Sequence, residues 1–150
     1  MLYKFRLLSD EVKDFVRDVE LLSDQTFYDF HRILTYDLHY DKSQIASFFV
    51  SNENWEKLTE ITLFDMSEEG ERKDVHVMDR TRIDEFIKQP RQRLLYVFDF
   101  FNERLFFIEL IHISEKKEKT AYPRISLSNG VPPHQLLFNN DNFEDLNFDE

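Results

Sequence analysis

Alternating apolar and polar residues mark the first two strands of the chain. Tyr3, Phe5 and Leu7 are separated by charged residues, which is the two-residue period of a half-buried β-strand. Residues 15–21 alternate in the same way, and the segment between the two runs is polar. Two such runs joined by a short polar segment predict a β-hairpin at the start of the chain.

The period then changes to that of a helix. Phe27 and Phe30 begin a series of apolar residues spaced by three and four positions, which places them on one helical face. Thr26 and Asp29 have the spacing of a capping box, with Asp in place of the usual Glu. This pattern predicts an amphipathic helix that begins after Thr26 and ends near Tyr40.

The later elements alternate between strands and one short helix. The apolar run 48–50 predicts a third strand, and residues 81–87 predict a short helix that ends before a proline. Two strongly apolar runs, 94–100 and 104–113, predict a long hairpin at the centre of the sheet. Residues 122–127 contain a proline, which lacks a backbone donor, and therefore predict an edge strand.

This order of elements predicts an α+β fold with two layers. In this interpretation a largely antiparallel sheet carries the helices on one face, and a β-grasp is one arrangement that fits by analogy. The length of 150 residues fits one domain. We assign residues 1–138 to this domain and residues 139–150 to an acidic C-terminal tail, and we expect the charged segment 67–74 to be an exposed loop.

Composition narrows the possible chemistry. Two glycines and no cysteine argue against a glycine-rich phosphate loop and exclude disulfides, thiolate zinc sites and thiol nucleophiles. The formal net charge of −11 disfavours a general role in binding nucleic acid. The sequence contains no apolar run of the length that spans a bilayer, so we expect a cytoplasmic protein without membrane contact.

One local cluster of basic residues opposes the overall acidity. Five basic residues lie within 14 positions of the chain, and they could form a patch that binds an anion or nucleic acid. The alternative is a solvated surface, which the overall charge favours. The residues of this predicted patch are Arg80, Arg82, Lys88, Arg91 and Arg93.

Three residues are candidates for a reactive site: His31, Asp99 and His134. Imidazole and carboxylate groups suit divalent metals and acid–base catalysis. His31 and His39 are separated by about 12 Å along a helix, so they cannot share one ion. Asp99 follows an apolar strand, where a carboxylate either acts as an acid or base or caps the turn.

Four stretches resemble a known family. They are Phe15-Val-Arg-Asp-Val-Glu-Leu, Thr26-Phe-Tyr-Asp-Phe-His, Leu95-Tyr-Val-Phe-Asp-Phe, and Tyr122-Pro-Arg with the later Gly130-Val-Pro-Pro. In this order they are similar to the strands and helix start of the plasmid pRiA4b ORF-3-like family, also labelled insertion-element passenger proteins. This resemblance implies an α+β domain often found near mobile elements in bacteria and archaea, and it implies no established reaction.

The chain departs from the family pattern at two polar positions. Phe101-Asn102 stands where the family has Gly-Asp, and His134-Gln135 stands where it has an acidic pair after Pro-Pro. If those family positions form a site, much of that site is absent from this chain.

The sequence therefore predicts a non-enzymatic protein-interaction module without a cofactor, with another protein as its partner. One alternative is a metal-dependent or acid–base enzyme that uses His31 and Asp99. Another is a DNA-associated regulator of a mobile element that makes contact through residues 80–93.

Overall fold

One large sheet dominates the computed structural model, which describes residues 1–65 and 75–137. Across the sheet the strands follow the order β5-β4-β3-β6-β7-β1-β2-β8. Neighbouring strands are antiparallel except β4 and β5, which run parallel. In chain order the strands are β1 Leu2–Ser9, β2 Val16–Leu22, β3 Ser47–Ser51, β4 Lys57–Thr62, β5 His76–Val77, β6 Arg93–Asp99, β7 Arg104–Ser114 and β8 Arg124–Asn129.

The predicted two-layer α+β fold with helices on one face is wrong, and so is the β-grasp arrangement. Within the described residues the chain forms one mixed eight-stranded sheet and a single α-helix, α1 Phe27–Leu38. A 3-10 turn, Ile83–Glu85, lies where the second helix was expected, and another, Met78–Arg80, precedes it. The protein is therefore mostly sheet.

Hydrogen bonds to groups outside the segment, at both of its ends, explain why residues 81–87 do not form an α-helix. The backbone N–H of Ile83 donates to the carbonyl of Gln25, and that of Asp84 donates to the carbonyl of Ser23. These bonds fix the first turn, whose donors have no partner within a helix, and the N–H groups of Lys88 and Gln89 donate to the side-chain oxygen of Gln92 rather than to carbonyls four residues back. The segment is instead bridged to the start of α1, where Thr26 pairs with Arg82.

The elements with the clearest local patterns form as predicted. The hairpin of β1 and β2 pairs Phe5 with Val19, and the long hairpin of β6 and β7 lies at the centre of the sheet. Strand β8 is an edge strand. At the N-terminus of α1 the Thr26 hydroxyl accepts from the backbone N–H of Asp29, whose carboxylate accepts from the N–H of Thr26.

The core lies between α1 and the sheet face that it covers, and aromatic rings fill much of it. Phe30 of α1 packs against Phe5 of β1 and Phe48 of β3, with ring centroids 5.0 and 4.9 Å apart. Phe48 also contacts Tyr96 of β6 at 4.8 Å, and Phe106 is fully buried on β7. Aromatic pairs at these distances add to the free energy gained from burial, so the helix is held by side chains from several strands.

Two predicted segments, the charged loop 67–74 and the acidic tail 139–150, lie outside the described residues. No helix within residues 1–65 and 75–137 is both long and apolar enough to cross a bilayer.

Gly130 permits the close approach of β8 to the end of the first hairpin. Its φ is +81°, and a Cβ at this position would lie 2.8 Å from the carbonyl oxygen of Asp14 and from the Cα of Phe15. Both neighbours are backbone atoms, which cannot move aside as a flexible side chain can. We predict that Gly130→Ala lowers the free energy of unfolding by about 2 kcal/mol, because of steric overlap and the left-handed conformation.

Urea denaturation monitored by circular dichroism measures this loss. Ser128→Ala, at an exposed position of the same strand, is the matched control and should change stability by less than about 0.5 kcal/mol. Equal stabilities of the two variants would contradict the prediction.

Candidate functional site

A groove lies at one end of the sheet. Because β3 runs antiparallel to β4 and β6, the start of β3 and the ends of β4 and β6 lie at the same edge. The segments that continue from these strands frame a groove of about 600 Å³. Its described lining residues are Gln44, Ile45, Ala46, Ser47, Glu60, Thr62, Leu63, Phe64, Asp65, Val75, Phe98, Asp99, Phe100, Phe101 and Leu136.

Large apolar side chains in this groove are exposed. Phe101 is 93% exposed, and Ile45, Phe64 and Leu136 are each about half exposed. Isolated exposed apolar residues are ordinary, whereas a contiguous apolar patch marks a binding surface or an aggregation hazard. The groove is therefore the candidate functional site.

A buried arginine organises the groove end of the molecule. Arg104 begins β7 and is only 7% exposed. Its guanidinium donates to both carboxylate oxygens of Glu11, at 2.9 and 2.8 Å, and to Asp99 at 3.4 Å. It also donates to the backbone carbonyls of His134 and Gln135, at 2.6 and 2.9 Å. We call these five residues the Arg104 cluster.

The Arg104 cluster fixes the last described segment of the chain. Besides the two carbonyls bound by Arg104, the hydroxyl of Tyr40 donates to the carbonyl of Pro133 at 2.5 Å. The Gln135 side chain both accepts from the backbone N–H of Asp41 and donates to its carbonyl. These bonds hold Leu136 at the groove.

Asp99 caps the turn between β6 and β7. Its carboxylate accepts from the backbone N–H and the side-chain amide of Asn102, at 3.1 and 2.9 Å. Burial alone would raise the pKa of Asp99, but the hydrogen bonds from Asn102 and Arg104 outweigh it and hold the pKa below its usual value. The ionised form of Asp99 is thus stabilised. Its contacts with Asn102 are those of a carboxylate that caps a turn.

His31 belongs to the core. It is 1% exposed, with Nε2 2.9 Å from the carbonyl oxygen of Lys42 and Nδ1 2.7 Å from the hydroxyl of Tyr96. A carbonyl only accepts, so Nε2 carries the proton, and Nδ1 accepts from the Tyr96 hydroxyl. Burial lowers the pKa of His31, although the bond to Lys42 acts in the opposite direction.

The three candidate reactive residues, His31, Asp99 and His134, do not come together in one site. Asp99 and His134 meet at Arg104, but His134 contributes its backbone carbonyl and its residue is exposed to solvent. His31 is held by Tyr96 and Lys42 instead. Within residues 1–65 and 75–137 no group of three or more His, Asp and Glu side chains is arranged to hold a metal ion.

Three of the five residues in the predicted basic patch have acidic partners. Arg80 and Arg82 pair with their neighbours Asp79 and Asp84, at 3.7 and 2.9 Å. Arg93 lies on the sheet face opposite to α1. Its Nε is 3.4 Å from a carboxylate oxygen of Glu109, and its guanidinium stacks over the ring of Trp55.

Sequence reasoning missed the groove and the Arg104 cluster. Two adjacent phenylalanines, Phe100 and Phe101, follow the polar strand end where a turn was expected, and this unusual pair is a signal for the groove. No comparable local signal exists for Arg104, because Glu11 lies 93 residues away in the sequence.

Arg104→Lys tests the stabilising role of the cluster. Lysine keeps the positive charge but offers three donors on one nitrogen, so it cannot reach all the acceptors that the guanidinium fork serves. We predict a loss of about 2 kcal/mol in the free energy of unfolding, from lost charge-assisted hydrogen bonds. Chemical denaturation measures it. Arg82→Lys, at an exposed ion pair, is the control, and a similar loss in that variant would contradict the prediction.

The buried imidazole predicts a pH-dependent stability. Unfolded chains protonate histidine near its ordinary pKa of 6.5, whereas His31 in the folded protein does so only at lower pH. Below about pH 6.5 the unfolded state therefore binds more protons, and stability falls with a slope of up to about 1.4 kcal/mol per pH unit. Thermal denaturation from neutral to mildly acidic pH should show a steeper loss in the natural protein than in His31→Gln. Parallel pH profiles would refute this.

Comparison with known proteins agrees with this architecture. The chain matches the family model described as Plasmid pRiA4b ORF-3-like protein over residues 3–135. A crystal structure of a protein of unknown function from Methanosarcina mazei Go1 has a similar fold, with a TM-score of 0.65 and 18% sequence identity. That similarity covers 85% of this chain and 68% of the other. No curated protein matches the chain.

The family match confirms the resemblance carried by the four sequence stretches. The matched range begins in β1 and ends at Gln135, so it includes the described strands, apart from the first residue of β1, and every residue of the Arg104 cluster. The chain belongs to the plasmid pRiA4b ORF-3-like family.

Proposed function

We propose that this chain is a non-enzymatic protein-interaction module that binds its partner through the groove at the end of the sheet. The observation that carries the proposal is the exposure of apolar side chains there, above all Phe101 at 93%. Exposed aromatic residues are typical of the centre of a protein interface, where they supply much of the binding energy. A partner that covers them removes their apolar surface from water.

The contacts of the reactive candidates also support this proposal. The carboxylate of Asp99 is bound by Asn102 and Arg104, and the imidazole of His31 is bound on both nitrogens. Each group has an architectural task that accounts for its position. The exposed apolar side chain of Phe101 has no such account within the described structure.

A cytoplasmic location and an association with mobile elements remain part of the proposal. They rest on the sequence pattern and on the family resemblance, respectively.

Phe101→Glu tests whether the groove makes the interaction. We expect affinity capture from native lysate, quantified by mass spectrometry, to recover a specific protein with the natural chain and at least about ten-fold less with this variant. A ten-fold loss corresponds to about 1.4 kcal/mol, which is within the range for losing one aromatic contact. The side chain of Phe101 is almost fully exposed, so its replacement should not unfold the protein.

Leu58→Glu is the matched control. Leu58 is also an exposed apolar residue, at 63%, and it lies on β4 outside the groove lining. This variant introduces the same charge and should capture the partner as the natural chain does. Equal capture by all three proteins, or no specific capture by any of them, would overturn the proposal.

A further inference from the structure

A second cavity lies between α1 and the chain that leads into β8. Its volume is about 660 Å³, which is in the range of sites that hold ligands. The described linings of this cavity and of the groove share no residue, so the two are separate. Because Tyr36, Tyr40 and Tyr122 line the second cavity, we call it the tyrosine pocket.

Hydrogen-bond donors dominate the charged groups of the tyrosine pocket. Arg32 and Lys42 line it, and their side chains donate but cannot accept. The described lining contains no aspartate or glutamate. Arg32 gives one N–H group to Asp29, at 3.3 Å, and its other N–H groups remain available. A ligand rich in acceptors and poor in donors therefore suits this pocket.

The hydroxyl groups of the pocket add further donors. Tyr36 is 80% exposed, and its hydroxyl has no hydrogen-bond partner within residues 1–65 and 75–137. The hydroxyl of Tyr122 accepts from the backbone N–H of Lys117 at 3.3 Å, which leaves its own hydrogen free to donate. The pocket thus combines flat aromatic faces with donors at their edges.

A proline-rich segment has the complementary chemistry. Proline lacks the backbone N–H, and the polyproline II conformation makes no internal hydrogen bonds, so its carbonyls are left to accept from other groups. Aromatic-lined grooves bind such segments by packing against their rings. A segment of this kind supplies acceptors and apolar rings together, which matches the donors and tyrosines of the pocket.

The chain itself makes this type of contact at the same pocket. Tyr40, which lines it, donates from its hydroxyl to the carbonyl of Pro133 at 2.5 Å. Val131 and Pro132 each precede a proline, which favours an extended backbone. One lining tyrosine therefore already binds the carbonyl of a Pro-Pro segment.

We propose that the tyrosine pocket binds a proline-rich segment of a partner protein in the polyproline II conformation. Tyr36 and Tyr122 would pack against the proline rings, and their hydroxyls, with Arg32 and Lys42, would donate to the carbonyls of the segment. This inference goes beyond the proposed function, because it concerns a site separate from the groove.

Selection from a displayed library of random peptides tests the inference. The full chain is the target, and Tyr36→Ala is used for counter-selection. Tyr36 is exposed on α1 and alanine favours helix, so this variant should remain folded. We expect proline-rich peptides that bind the natural chain at least about ten-fold more tightly than the variant. The inference is overturned if no peptide distinguishes the two proteins or if the peptides that do so lack proline.

Replacing the prolines of a selected peptide by alanine tests the bound conformation. The altered peptide should bind at least about ten-fold more weakly, because it loses both the ring contacts and the pre-organised backbone. Fluorescence anisotropy with labelled peptides measures the affinities. An unchanged affinity would show that proline is not recognised.

Tyr36→Phe tests hydrogen bonding by the hydroxyl. It keeps the aromatic ring and should weaken the selected peptide about three-fold, as for one neutral hydrogen bond. Tyr28→Phe is the matched control, because it makes the same change on the same helix outside the pocket lining and should leave the affinity unchanged. Equal effects of the two substitutions would contradict the proposal.

An anionic ligand is the other class that Arg32 and Lys42 attract. Inorganic phosphate, compared with sodium chloride at the same ionic strength, separates the two classes. If the pocket binds neutral carbonyls, both salts should change the affinity of the selected peptide equally. Displacement of the peptide by phosphate alone would identify an anion site and overturn the inference.

Discussion

The groove end of the molecule depends on the burial of one positive charge. Arg104 has five N–H donors, and each has an acceptor: two carboxylate oxygens of Glu11, one of Asp99, and the carbonyls of His134 and Gln135. A buried guanidinium is costly unless its donors are satisfied. The turn after β1, the end of β6 and the last described segment must therefore meet at the start of β7.

The polar contacts of Arg104 position residues that line the apolar groove. Arg104 also stacks over the ring of Phe98, at 4.8 Å, which lies in the groove lining beside Asp99. The same guanidinium thus positions a strand end and the segment that carries Leu136. Hydrogen bonds from Asn102 and Arg104 lower the pKa of Asp99, and the same bonds hold its carboxylate in place at the end of β6. The Arg104 cluster lies next to the groove and holds in place the segments that form part of its lining.

A feature can be predicted from the sequence when the residues that determine it lie close together along the chain. The capping box of Thr26 and Asp29 is set within one helical turn, and the pairing of Arg93 with Glu109 follows from a hairpin register. The conformation of the segment 81–87 depends instead on bonds from Ile83 and Asp84 to residues before α1. Its local sequence pattern therefore led to the wrong prediction of a helix. The Arg104 cluster and the groove combine segments from distant parts of the chain, and no local period indicates them.

The turn between β6 and β7 shows why the exposed phenylalanines need a separate explanation. Turns favour polar residues because their side chains satisfy nearby backbone groups, but here Asp99 and Asn102 already do so. Of the two residues between them, Phe100 contributes its backbone carbonyl, which accepts from the N–H of Glu103, and the turn needs neither phenylalanine side chain for its hydrogen bonds. Phe101, at 93% exposure, adds nothing to the described core and increases the apolar surface in contact with water. A side chain of this kind gains free energy only when another molecule or segment covers it, so the physical argument for binding at the groove follows from the same hydrogen bonds that stabilise the turn.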